Sequence, residues 1–121
     1  MRNWLTRAFA LVAVAMPLSA LPSTSVSAQS RSLWLFNGNV QTVSGYFLGG
    51  EQINGWCDSD CYDLDLVLVD GAGRVVSEDL LPDSVPIVVA PYSGTFSVRV
   101  IMHNCSHSAG CAAWVESTHG F

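Results

Sequence analysis

Alternation of apolar and polar residues is the feature of this sequence that most constrains its fold. The clearest example is the segment TFSVRVIM, residues 95–102, where every second residue from Phe96 to Met102 is apolar. The other positions of the segment are polar or charged apart from Ile101. Because successive side chains of a strand point to opposite faces, the pattern predicts a β-strand with one buried face. After residue 28, no segment shows the helical period of about 3.6 residues.

Short segments of this kind recur along the chain, with turn signals between them. Asn37-Gly38, Gly49-Gly50 and the loop DGAGR at 70–74 are typical of tight turns. Seven or eight short strands at this spacing indicate an all-β fold, an antiparallel sandwich or a barrel. The predicted strands cover residues 33–36, 40–48, 52–56, 63–69, 75–76, 86–90, 95–102 and 111–115.

The first 28 residues have the three regions of a secretory signal peptide. Arg2 and Arg7 supply a basic start, an apolar run covers residues 8–21, and small residues lead up to Ala28. A membrane anchor is the alternative, but a spanning helix needs about 20 consecutive apolar residues and this run is shorter. We therefore expect cleavage after residue 28 and a single domain of residues 29–121, secreted or periplasmic, with no membrane span once the signal is removed.

The charge of the expected domain is strongly negative. All ten acidic residues follow residue 28 together with only three arginines, and the chain has no lysine, so residues 29–121 carry a net charge of −7. A field of this sign repels phosphate backbones and anionic lipid surfaces. The composition therefore argues against nucleic-acid partners and against adhesion to anionic lipid. It is compatible with the binding of cations.

Four cysteines form two close pairs in the sequence, Cys57 with Cys61 and Cys105 with Cys111. In an exported chain such pairs predict disulfides, because disulfides persist outside the reducing cytosol. The local pairings are the ones most easily brought within the roughly 4–7 Å between Cα atoms that a disulfide needs. The two crossed connectivities remain open at this point.

A metal site and a redox pair are the alternative uses of these cysteines. The segment HNCSH places His103, Cys105 and His107 two residues apart with Cys111 nearby, and zinc accepts ligands of these types. Two disulfides account for the same cysteines more simply in an exported chain. A redox pair is disfavoured because the sequence has neither a Cys-x-x-Cys motif nor a βαβ pattern.

Aspartates crowd the segment that follows the first cysteine. Asp58, Asp60, Asp63 and Asp65 lie close together, and Asp63 and Asp65 fall on the same face of a strand. Close carboxylates repel one another unless a cation or donor intervenes, and calcium takes about 6–8 oxygen ligands. The four aspartates are therefore candidate calcium ligands, although the spacing lacks the glycine and glutamate of an EF-hand loop. The alternative is a solvated turn and the exposed face of an edge strand, with no cofactor.

Motifs of catalysis are missing from the sequence. It has no Gly-x-Ser-x-Gly, no His-Glu-x-x-His and no glycine-rich phosphate loop before a helix. Paired acids can hydrolyse glycosides, but only in a cleft that raises the pKa of one partner. We therefore expect a protein that is not an enzyme.

From residue 45 to residue 115 the chain resembles the bacterial pre-peptidase C-terminal domains, and in particular their small, stand-alone, exported, cysteine-containing relatives. The segments that carry the resemblance are GWCDSDCYDLDLVLVDGAGRVV, DSVPIVVAPYSGTFSVRVIMHNC and CAAWV, in this order. The resemblance implies a β-sandwich of jelly-roll type and a non-catalytic accessory role beside secreted peptidases. Some collagen-binding relatives hold calcium, and only Asp63 and Asp65 sit in the matching strand motif. This chain departs from the family pattern in carrying no peptidase domain, which argues against a role linked to a peptidase.

The leading functional prediction is an exported accessory or binding domain, stapled by disulfides, whose partner is an unknown extracellular or periplasmic protein or polymer. The alternatives are a structural, envelope-associated protein with no small ligand and, third, a small hydrolase. Aromatic side chains discriminate between the first two. An exposed patch built from Trp34, Trp56, Tyr92 or Trp114 would favour binding, and full burial of these rings would favour the structural role.

Overall fold

The computed structural model describes residues 29–121, and the predicted signal peptide lies outside them. The described residues form eight β-strands without a helix, so none of their segments is a helix that could cross a membrane. The predicted all-β class and number of strands are confirmed. The strands are β1 (Gln29–Leu35), β2 (Val40–Phe47), β3 (Gln52–Cys57), β4 (Cys61–Val69), β5 (Val75–Asp79), β6 (Ile87–Val89), β7 (Gly94–Cys105) and β8 (Cys111–Ser117).

The strands form two antiparallel sheets of four strands each. The first sheet has the order β1-β8-β3-β6, and the second sheet has the order β2-β7-β4-β5. Apart from the β4–β5 hairpin, the chain crosses from one sheet to the other at every connection. Two four-stranded sheets connected in this way make a jelly-roll sandwich, as the resemblance implied.

The core fills the space between the inner faces of the two sheets. In β7, the alternating residues from Phe96 to Met102 are all buried, as the sequence pattern predicts. Leu64, Leu66 and Leu68 of β4 lie beside them and are fully buried. Burying a side chain of this size contributes roughly 1.5–3 kcal/mol, so these two neighbouring strands supply much of the stabilising contact.

The outer face of β4 is also covered, which rules out the alternative interpretation of an exposed edge strand. Asp65, Val67 and Val69 are only 6%, 7% and 4% exposed. The reason is topological: β4 lies between β7 and β5, and Val67 is flanked by Arg99 and Glu78 on these neighbours. Long charged side chains of this kind cover apolar neighbours with their stems.

Two disulfides join the sheets at one end of the sandwich. Cys57 of β3 bonds to Cys61 of β4, and Cys105 of β7 bonds to Cys111 of β8, so each links the first sheet to the second. The two bridges are neighbours, because Cys61 and Cys105 are paired in the β4–β7 ladder. The expected local pairing is confirmed, and the zinc interpretation is wrong because both of its thiolates are consumed in one disulfide.

A buried carboxylate closes the opposite end. Glu51, just before β3, accepts hydrogen bonds from the backbone N–H groups of Leu48, His119 and Gly120. These bonds hold the segment after β8 over this end of the sandwich. The buried ring of Phe121 in that segment packs edge-on against the ring of Phe47, with 5.1 Å between the ring centroids. The domain is thus closed by disulfides at one end and by an ionised hydrogen-bond acceptor at the other.

Candidate functional site

The acidic segment divides into two structurally separate pairs. In the turn between β3 and β4, Asp58 accepts the backbone N–H of Asp60 through Oδ1 and that of Ala112 through Oδ2. The Asp60 carbonyl accepts both the backbone N–H and the hydroxyl of Ser106. This pair therefore fastens the disulfide-bonded turn to the β7–β8 segment.

Asp63 and Asp65 lie further along, in β4, and the four predicted calcium ligands do not form one site. Among residues 29–121, no three histidine, cysteine, aspartate or glutamate side chains form a group that could hold a metal ion. Asp58 already uses both of its carboxylate oxygens for backbone hydrogen bonds. Of the four aspartates, Asp63 and Asp65 are the two with a buried carboxylate oxygen that has no hydrogen-bond partner among the described residues.

The Asp63–Asp65 pair is electrostatically frustrated. Asp65 is buried, and one oxygen, Oδ1, of each carboxyl has no hydrogen-bond partner among the described residues. Burial, followed by the charge and hydrogen bonding of Asp63, raises the pKa of Asp65 to about 6. Because a buried polar atom without a partner is destabilising, a proton or a cation at this pair would relieve the cost.

The other conspicuous feature is aromatic. All three tryptophans among the described residues lie on the outer face of the first sheet. Leu33, Leu35, Ala113 and Val115 are buried on the inner face, so Trp34 and Trp114 point outward between them. Trp34, Trp56 and Trp114 together are called the tryptophan face below.

Trp56 and Trp114 form a cross-strand pair at the centre of this face. They are directly opposite in the β3–β8 ladder, and their rings are nearly parallel, 14° apart, with centroids separated by 5.9 Å. Both side chains are half-buried. This offset stacking covers one side of each indole and leaves the rest of the pair accessible to a ligand.

Trp34 is the exposed member of the face, and it is held in place. Its exposed fraction is 55%, yet Nε1 donates a 2.8 Å hydrogen bond to the carbonyl of Ala109. The ring also lies against Gly110, where an added Cβ would approach Nε1 to 2.5 Å. Gly110 has φ near +100°, a conformation that other residues rarely adopt. The indole is thus held in one orientation, which would reduce the entropic cost of binding a ligand at this position.

Uncharged polar groups surround the tryptophans. Ser32 lies opposite Trp114 in the β1–β8 ladder, and Asn54 lies opposite Glu116 in the β3–β8 ladder. The alternating outward positions of the four strands include no basic residue, and Glu116 is their single acid. Arg31 lies elsewhere, with its guanidinium 5.7 Å from the ring centroid of Phe121. The surface offers ring faces, hydroxyls and amides, and it has a slight negative charge.

The tryptophan face continues as an apolar surface toward β6. Val85, Ile87 and Val89 are all exposed there. A shallow, open depression beside them is lined by Glu78, Asp79, Leu80, Leu81 and Ile87. Asp79 accepts the backbone N–H groups of Leu81 and Ile87, so its carboxylate is already committed to holding the chain.

Tyr92 was predicted as a further candidate, and the structure places it away from the tryptophan face. Its ring packs at 5.1 Å on Phe96 of the second sheet. No alternation of apolar and polar residues marks Trp34 or Trp114 as outward-facing, because the residues on both sides of each are also apolar. No sequence signal pairs Trp56 with Trp114, because their contact depends on the register between β3 and β8.

No protein-family model and no curated protein matches the chain.

Proposed function

We propose that the protein is an exported, non-catalytic binding domain that holds its ligand on the tryptophan face. The observation that carries the proposal is the collection of Trp34, Trp56 and Trp114 on the outer side of one sheet. Tryptophan is enriched at the energetic centres of interfaces, and a contiguous exposed apolar surface on a small domain marks a binding site.

The chemistry of the face favours an uncharged polymer built of sugar rings. The π face of an indole is electron-rich and attracts the weakly positive C–H face of a sugar ring. Ser32 and Asn54 flank the tryptophans and supply the hydrogen-bonding groups that hydroxyls require. The net charge of −7 and the absence of a basic residue on this face disfavour acidic polymers.

Retention on insoluble polysaccharides tests the proposal. Mature protein is mixed with cellulose, chitin and the cell-wall polymer of the producing cell, and the unbound fraction is measured. We expect retention on one or more of them, and a loss of about tenfold or more in affinity in Trp34→Ala, since interface tryptophans contribute about 2 kcal/mol or more. Tyr62→Ala is the matched control, because Tyr62 is 59% exposed but belongs to the second sheet.

A structural, envelope-associated role is the second candidate, and the half-burial of Trp56 and Trp114 against each other favours it. In that case the stacked pair only shields the sheet from water. Equal behaviour of wild type, Trp34→Ala and Tyr62→Ala on every polymer would support this role and would contradict ligand binding at the tryptophan face.

Export is supported by the signal-like first 28 residues and by the two disulfides. N-terminal sequencing of the exported protein should begin at Gln29. A mature protein that begins at Met1 would refute the processing step without bearing on the tryptophan face. The accessory role rests on the resemblance to pre-peptidase C-terminal domains, carried by the ordered segments between residues 45 and 115.

Calcium at Asp63 and Asp65 is a further part of the proposal, supported by their two unpartnered buried oxygens. A ligand that binds only the folded state stabilises it by RT ln(1 + [L]/Kd), and extracellular modules bind calcium at about 10⁻⁴–10⁻³ M. About 10 mM calcium should therefore raise the Tm, and Asp63→Asn with Asp65→Asn should abolish the rise. Magnesium should raise it less, since it dehydrates reluctantly. An equal rise in sodium chloride of matched ionic strength would mean that only screening is at work.

A further inference from the structure

Strand β2 leaves one side of its backbone open. It is the edge of the second sheet and pairs only with β7. The carbonyl of Tyr46 points away from β7, as is shown by the hydrogen bond that it accepts from Nδ1 of His119 at 3.2 Å. Backbone groups of an antiparallel edge strand alternate in direction, so those of Val40, Thr42 and Ser44 point to the same open side. Among the described residues, none forms a backbone ladder with that side.

Side-chain hydrogen bonds that prevent edge pairing cover the open side of β6, whereas in β2 the one such bond is that of His119 to the carbonyl of Tyr46. At β6, the outward N–H groups of Ile87 and Val89 are bonded to side chains of β5, the carboxylate of Asp79 and the hydroxyl of Ser77. The sequence of β2, VQTVSGYF, has no charged residue and no proline, and its ladder with β7 runs through eight residue pairs without a bulge. Charges, prolines and bulges are the usual means of blocking such an edge.

The charge distribution also favours this edge. Two copies that each carry −7 repel one another, so a shared surface must avoid the acids. In a two-fold symmetric contact between two copies of one strand, each residue lies opposite a residue of that same strand in the other copy. A strand without charged residues therefore creates no charge repulsion in such a contact. The residue opposite Thr42 in β7 is Arg99, one of only three arginines after residue 28.

We propose that two copies of the chain associate by antiparallel pairing of β2 with β2, joining their second sheets into one continuous sheet. Thr42 lies opposite Thr42 of the second copy, and Val40 lies opposite Ser44. This register uses the free backbone groups of all three residues and keeps clear of His119 at Tyr46. It also places two threonines face to face, a favourable cross-strand pair. The contact is small, so the dimer is weak and depends on concentration.

Cross-linking through position 42 tests the register. Residues in a hydrogen-bonded antiparallel pair have Cα atoms about 5.5 Å apart, within the range of a disulfide. Under mild oxidation, Thr42→Cys should give a covalent dimer joined through position 42, at least about ten times faster than Thr95→Cys. Thr95 is an exposed residue of β7, an interior strand of the same sheet. Equal rates for the two variants would overturn the proposed pairing.

Sedimentation equilibrium tests the dimer without a new cysteine. The N–H of Thr42 faces away from β7, so Thr42→Pro leaves the internal ladder intact while removing a donor at the proposed interface. Wild type should dimerise as its concentration rises toward about 1 mM, and Thr42→Pro should stay monomeric. If the proline variant fails to fold, Thr42→Lys replaces it, because a charge at the same position should also prevent dimerisation. A wild type that is monomeric throughout, or a lysine variant that dimerises equally well, would refute the proposal. Neither test involves the tryptophan face, which lies on the other sheet.

Discussion

Folding strongly changes the pKa of Asp65. Its carboxyl is buried beside Asp63, and its pKa rises from about 3.8 to about 6. Over that range of pH the unfolded carboxyl has ionised while the folded one still holds its proton. The free energy of unfolding therefore falls as the pH rises from about 4 to 6 and stays lower above that window.

Asp65→Asn should remove this pH dependence. At pH 7.5 in EDTA we expect the substitution to raise the free energy of unfolding by roughly 1–3 kcal/mol, since one pKa unit corresponds to about 1.4 kcal/mol. At pH 4 the gain should be small, because the acid is then protonated in the folded protein. Urea unfolding at the two pH values measures the difference, with Glu78→Gln on the exposed part of β5 as control. A larger gain at pH 4 than at pH 7.5 would contradict the burial argument.

Glu51 shows the opposite behaviour of a buried acid. Burial alone would raise its pKa, but hydrogen bonds from the backbone of Leu48, Gly120 and His119 and from the side chain of Ser117 lower it below the ordinary value. The ionised form is therefore the stabilising one, and its contribution is lost as the pH falls below about 4.5, the ordinary value for a glutamate.

Glu51→Gln should destabilise the protein at neutral pH by about 2–4 kcal/mol, because the amide replaces a charged acceptor of three backbone donors and turns an NH₂ group toward them. Amide hydrogen exchange should quicken at His119 and Gly120, which the carboxylate holds. The matched control is Asp70→Asn, since Asp70 also accepts two backbone N–H groups, but in an exposed turn. Equal losses in the two variants would show that Glu51 does not clamp the segment after β8.

Strand β4 has one face in the core between the sheets and the other face on the outside of the second sheet. Leu66 faces the space between the sheets and is fully buried, whereas Val67 points to the outer face and is 7% exposed. Leu66→Ala should lower the free energy of unfolding by about 2–5 kcal/mol. Val67→Ala should lower it clearly less, because fewer atoms are removed from a layer that borders solvent. Equal and small losses in denaturant unfolding would mean that the register of β4 is wrong.

The strands themselves could be predicted from sequence because their signal is local. Alternation in residues 95–102 and the glycine turns located β7 and the connections to within a few residues. The covered outer face of β4 also had a signal, four successive apolar residues from Leu66 to Val69, which is typical of a strand buried on both sides. The alternative of an exposed edge strand rested on Asp63 and Asp65 and did not take this apolar run into account.

Pairings between strands could not be predicted, because they depend on which distant segments meet. The stacking of Trp56 on Trp114 follows from the β3–β8 register, and the side-by-side disulfides follow from the pairing of Cys61 with Cys105. Glu51 was not singled out, since nothing local marks an acid that bonds to a segment almost seventy residues later. Local periodicity therefore predicts elements, while the candidate site arises from their order.

On the scale of the whole molecule, the sandwich is fastened at both ends and carries its tryptophans on one outer side. The disulfides close short loops, for which loop entropy suggests about 2 kcal/mol each. With Glu51 at the far end, the sheets are held in a fixed relation, so the tryptophan face is a rigid platform. A rigid platform would suit the proposed binding of a polymer, because the protein would lose little conformational freedom on binding.

NMR of the indole N–H groups shows directly whether a sugar binds at the tryptophan face. Mature protein labelled with ¹⁵N should show three indole signals, from Trp34, Trp56 and Trp114. Titration with soluble cello- and chito-oligosaccharides should shift these signals and the neighbouring amides of Ser32 and Asn54, and leave those of Tyr62 and Arg99 on the second sheet unchanged. Binding that shifts only second-sheet signals, or no shift with any uncharged oligosaccharide, would contradict the assignment of the tryptophan face as a sugar-binding surface.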